Sequence, residues 1–94
     1  MILEHVVLPV IPGRESDFLA AFAQARPLIE SSPGCLGLEL HRGVERINEF
    51  LMLVRWESLE AHIEGFRGSP AYERWRELLH HFYEPFPEVV HFEG

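Results

Sequence analysis

The chain has 94 residues, a length that suits one domain over residues 1–94. Fifteen acidic side chains against eight basic ones give a net charge of −7, with lysine absent and the arginines scattered, which argues against a nucleic-acid partner. The single cysteine, Cys35, rules out an internal disulfide framework; no apolar run approaches membrane-spanning length, and the first residues carry no basic-then-apolar signal, so the reading is a soluble cytoplasmic protein without a membrane partner.

Ile2 to Ile11 is rich in Val, Ile and Leu and predicts a strand, with Pro9 near its end or on a bulge. Pro12-Gly13 breaks the chain. Glu15 to Glu30 predicts a helix whose stripe is Phe18, Phe22, Ala25 and Ile29; Glu15 and Asp17 suit its first turn, and Pro27 is expected to kink its last turns. Cys35 to Arg42 alternates, with Leu36, Leu38 and Leu40 set against Gly37, Glu39 and His41, the period of a half-buried strand. Phe50 to Trp56 is apolar on both alternating sets apart from Arg55, and its short connection to the preceding strand favours an antiparallel hairpin. Ser58 is placed to cap a short helix over Leu59 to Phe66. Ser69-Pro70 caps a second helix, Ala71 to Phe82, which carries Tyr72, Trp75, Leu78, Leu79 and Phe82 at helical spacing. Glu88 to Glu93 is a last strand.

The order is β-α-β-β-α-β, with the second helix in two pieces. It predicts a ferredoxin-like α+β fold: an antiparallel sheet with both helices on one face. The opposite face would meet water, yet the first and third strands are apolar on both faces. A hydrophobic share of 47% is generous for so short a chain. Packing that face against an identical subunit is the expected solution.

No Gly-rich phosphate loop, paired cysteine or nucleophile elbow is present. Among six histidines, His80 and His81 diverge by about 100° on a helix and cannot easily share a metal. His5 and His91 could meet if the first and last strands are neighbours, but no close-spaced ligand set exists, and no metal is expected. His62, about one turn before Phe66, is either a base near an apolar pocket or a helix residue that packs its ring. Trp56 reads as a plug at the strand-to-helix junction whose indole N–H needs one partner.

The stretch "LVRWESLEAHIEGFRGSPAYERW", together with "SSPGCLGLELHR", resembles the antibiotic biosynthesis monooxygenase family, and the resemblance spans nearly the whole chain. It implies a homodimeric α+β barrel. It also implies oxygenation of phenols or quinols without metal or organic cofactor, in which a base takes a phenolic proton and the electron-rich anion reduces O₂. A haem-degrading branch of that family uses an Asn, a Trp and a His at positions held here by Val6, Phe66 and Arg76, so haem degradation is disfavoured. His62 matches a His common in the quinol-oxidising branch. The expected site is therefore His62 as base or substrate hydrogen-bond partner, Phe66, Tyr72 and Trp75 as pocket walls, and Arg76 as an anion-stabilising group if it turns inward. The rival readings are a non-catalytic small-ligand-binding or stress-related dimer of the same fold, and an interaction domain packed solid.

Overall fold

Strand β1, Ile2–Pro9, is the first element of the computed structural model, which describes residues 1–94. Pro9 occupies the last position of the strand, where a missing N–H disturbs the ladder least. The strand therefore ends two residues before the predicted Ile11. Val10 continues only as a single bridge to Tyr83, its N–H donating to Asn48 at 2.9 Å.

Helix α1, Glu15–Glu30, buries Phe18, Phe22, Ala25 and Ile29, the predicted stripe. It runs on through Pro27. Both Pro27 and Ala23, whose carbonyl the proline leaves free, are exposed, so solvent serves that oxygen. Ser31 closes the end, its N–H and Oγ both donating to the Pro27 carbonyl.

Strands β2, Cys35–Arg42, and β3, Glu49–Trp56, form the predicted antiparallel hairpin. One residue of β2 departs from the expected alternation. A bulge between Cys35 and Gly37 shifts the register, so Cys35 pairs with Trp56, and Leu36 is turned out to half exposure instead of joining Leu38 and Leu40.

After β3 the Ser58 hydroxyl accepts from the Ala61 N–H at 3.2 Å. Ala61–Phe66 then winds as a π-helical turn, not the α-helix expected there, with the Arg67 N–H donating to the His62 carbonyl at 3.0 Å. Ser69 caps helix α2, Pro70–Leu79, through the Tyr72 N–H, with Pro70 at the first position. The helix does not reach Phe82 as an α-helix. It tightens into a 3₁₀ turn over His80–Phe82, because Tyr83 must become extended to bridge Val10. Strand β4 is Val89–Glu93.

The sheet order is β2-β3-β1-β4, antiparallel throughout. This is the predicted ferredoxin-like fold, with both helices on one face. That face holds a cluster of 16 buried apolar residues, Trp56, Phe18, Phe50 and Phe66 the largest. The other face shows Leu3, His5 and Val7 of β1, Leu51 and Leu53 of β3, and Phe92 of β4. No helix is long and apolar enough to cross a membrane.

Candidate functional site

The period-two alternation of β1 places Glu4 on the same face as Val6 and Leu8, between sheet and helices, where it is only 3% exposed. A buried carboxylate needs partners. One comes from Trp56 at the end of β3, whose indole N–H donates to Glu4 Oε1 at 2.9 Å. This is the partner that the buried indole required.

His62 is brought to the same place by the π-helical turn. Gly34 makes room for that turn: its φ is +88°, and a Cβ there would lie 2.6 Å from the Ala61 side chain. The His62 ring, 3% exposed, stacks on Trp56 with centroids 5.0 Å apart and planes 16° apart. Its Nε2 is 3.4 Å from Glu4 Oε1, and its Nδ1 is 2.9 Å from His91 Nε2. His91 reaches this network because β4 pairs with β1 in a register that sets it opposite Glu4. His5 does not join His91 despite the adjacent strands. It faces the other side of the sheet and meets Phe92 edge-on at 5.9 Å.

Burial dominates the proton equilibria. It pushes His62 from its ordinary value near 6.5 down to about 3, with the Arg67 charge and the neighbouring His91 adding to the effect. It raises the Glu4 carboxyl, against the Trp56 hydrogen bond and the Arg67 charge, which favour the anion. His80 and His91 are lowered for the same first reason, burial, with Arg67 contributing to both. His62 is thus neutral across the physiological range, and its contact with Glu4 is not an ion pair.

Beside this network lies a cavity of about 320 Å³ between the sheet and α2, within the usual range for small-molecule sites. Ten of its 15 lining residues are hydrophobic. Its lining includes Glu4 and His62, the aromatic rings of Phe66, Tyr72 and Trp75, and the polar groups of Arg67, His80 and Tyr83. Phe66 and Trp75 meet edge-to-face at 5.7 Å, and Phe66 and Tyr72 at 5.5 Å. Phe86, 64% exposed, packs on His80 at 5.0 Å and also lines the cavity.

Four of the five residues expected at a site, His62, Phe66, Tyr72 and Trp75, line this cavity. Arg76 does not. It sits on the outer side of α2, half exposed, and pairs with Glu73 one turn away at 3.3 Å. The cation at the cavity is Arg67 instead. The other seven of the eight basic residues have a carboxylate or carbonyl partner, and Arg67 has none. Val6 and Phe66 give the cavity apolar surface at two of the positions compared with the haem-degrading pattern.

Glu4, Arg67 and His91 were not among the residues expected at the site. For Glu4 a signal existed: it is the one charge in the Glu4, Val6, Leu8, Val10 set. Glu4, His62 and His91 are not arranged as a metal-binding group.

Residues 1–78 match the family model for antibiotic biosynthesis monooxygenases. YczJ of Bacillus subtilis strain 168, an uncharacterized protein, is 45% identical over 93 residues, covering 99% of this chain and 98% of its own. A solved structure named as a candidate antibiotic biosynthesis monooxygenase, from Bordetella bronchiseptica, is 39% identical and superposes with a TM-score of 0.92, covering 99% of this chain and 95% of that one. SnoaB, a cofactor-independent oxygenase from Streptomyces nogalater, is 17% identical with a TM-score of 0.83 over 99% of this chain and 92% of its own, a likeness of fold. By the match over residues 1–78 and by these near-full-length relatives, the chain belongs to the antibiotic biosynthesis monooxygenase family.

Proposed function

We propose that this protein is a cofactor-independent monooxygenase acting on a small aromatic phenol or quinol held between sheet and helices. The observation that carries the reading is the cavity itself: apolar walls, a buried carboxylate–imidazole pair, and one arginine without a partner. Phe66, Tyr72 and Trp75 suit an aromatic ring. Arg67 suits the anion left when the ring loses a hydroxyl proton, more strongly so in a dry cavity. The anion then supplies the electrons. One atom of O₂ enters the substrate, the other leaves as water, and a quinol becomes a hydroxyquinone.

The working unit of this proposal is a homodimer joined through the open sheet face. Leu3, Val7, Leu51, Leu53 and Phe92 lie there. Burying side chains of this size is worth about 1.5–3 kcal/mol each, and soluble monomers rarely leave such a patch uncovered.

One observation favours a second reading, a ligand-binding dimer without chemistry: the proton affinity of His62 is low and its Nδ1 is engaged by His91. Oxygen consumption with a panel of quinols, naphthols and anthrones separates the two. The oxygenase reading expects substrate-dependent uptake, reduced in His62→Ala. Binding of panel members with no uptake supports the second reading.

A further inference from the structure

His62, expected as base or substrate hydrogen-bond partner, is a weak proton acceptor: burial lowers its proton affinity and His91 engages its Nδ1. Nδ1 is 2.9 Å from His91, and Nε2 is 3.4 Å from Glu4 Oε1. Glu4 is different. Its Oε1 is engaged by Trp56 and lies against His62, while Oε2 has no hydrogen-bond partner. Every sealed side-chain nitrogen or oxygen in the protein has a partner, so Oε2 is open, and the wall that Glu4 contributes to is the cavity's.

We propose that Glu4, through Oε2, is the catalytic base that takes the hydroxyl proton of the substrate, while the Trp56 indole N–H holds Oε1 and His62 lies against it. The proposal deepens the oxygenase reading and rests on it for the substrate class, a phenol or quinol. In the step, the substrate O–H bond breaks, an H–Oε2 bond forms, and the electron pair stays on the phenolate oxygen. Arg67, without a carboxylate of its own, also lines the cavity and would serve as counter-charge to that anion.

Electrostatics fit the role. The groups within reach of Glu4 are His62 and Arg67 from the segment after β3, His91 from β4 and Cys35 at the start of β2. Burial lowers the proton affinity of both histidines, which disfavours a second cation against the carboxylate. Burial raises the proton affinity of Glu4, which makes it a stronger base than a solvated carboxylate.

The test uses 1-naphthol as probe, first without oxygen. Infrared difference spectra in mildly alkaline buffer are expected to gain the carbonyl stretch of a protonated carboxyl as the naphthol binds, alongside naphtholate absorption. Glu4→Gln, whose amide oxygen can still accept from Trp56, is expected to bind the probe and show neither signal. With oxygen, its kcat is expected to fall by about 10²–10⁴-fold with KM little changed, and Glu4→Asp to recover part of the loss. Naphtholate formed equally well by Glu4→Gln, or an unchanged kcat in that variant, overturns the proposal while leaving the oxygenase reading in place. Ionisation on Glu4 with no oxygen consumed by any phenol supports the base and sinks the oxygenase reading. A wild-type protein that does not bind 1-naphthol overturns both.

Discussion

Glu4 occupies a position where a strand of this pattern calls for an apolar side chain, and the surroundings explain how it is tolerated. The Trp56 indole N–H, at 2.9 Å, is the one strong donor to it and favours its ionised form. Trp56→Phe removes that donor and keeps an apolar plug at the junction. A hydrogen bond to a charged group is worth about 1.5–3 kcal/mol, which corresponds to roughly one to two pKa units. The Glu4 pKa, already raised by burial, rises further, so the ionised form needed to accept a proton appears only at higher pH. The expected outcome is an alkaline shift of the rising limb of kcat/KM by about that amount, with the limit reached at high pH retained. A pH–rate profile checks it, and an acid shift would contradict it.

At the scale of elements, strands and helices were legible because their periodicities are clear. The stripe of α1 and the alternation of β3 are written in Phe18, Phe22, Ala25 and Ile29, and in Phe50, Met52, Val54 and Trp56. What was not legible depends on register or on local winding. The bulge that turns Leu36 outward and the extra width of the Ala61–Phe66 turn leave no mark in a hydrophobic pattern. The candidate site divides in the same way. His62, Phe66, Tyr72 and Trp75 come from neighbouring helical segments, so spacing alone groups them. The pairing of Glu4 with His91 needs the order and register of two strands far apart in the chain. Arg76 follows inward-facing Trp75 by one residue, about 100° round the helix, and pairs with Glu73 on the exposed side; Arg67, before α2, lines the cavity. Gly34 is the hinge of this arrangement. Gly34→Ala combines a φ of +88° with a contact of 2.6 Å to the Ala61 side chain, so the turn carrying His62 must move. Overpacking of this kind typically costs about 1–3 kcal/mol, and the expected outcome in a urea titration is a lower midpoint with an unchanged slope. Wild-type stability would show that the turn yields freely.

At the scale of the whole molecule, the two faces of the sheet have separate tasks. One closes over the core and the cavity; the other carries Leu3, Val7, Leu51, Leu53 and Phe92, the patch that the proposed dimer would bury. Leu53 lies near the centre of that open face, opposite His5 on β1 and Glu39 on β2. Leu53→Arg leaves the inner core untouched and would bring a charged, bulky side chain into the centre of the proposed dimer contact, a cost of several kcal/mol even with Glu39 opposite. Light scattering at micromolar concentration is expected to give a dimer for the wild type and a monomer for the variant. A monomeric wild type would remove the sheet-packing proposal.

The central claim is oxygenation in the cavity, with electrons drawn from the substrate alone. Its most direct measurement is turnover under isotopically labelled dioxygen, with a naphthol, quinol or anthrone as the only reductant and the protein treated with a chelator beforehand. Mass spectrometry of the product is expected to show one labelled oxygen atom per molecule, in amounts that fall with Glu4→Gln. A product without label, or labelling that requires an added metal or organic cofactor, would contradict it.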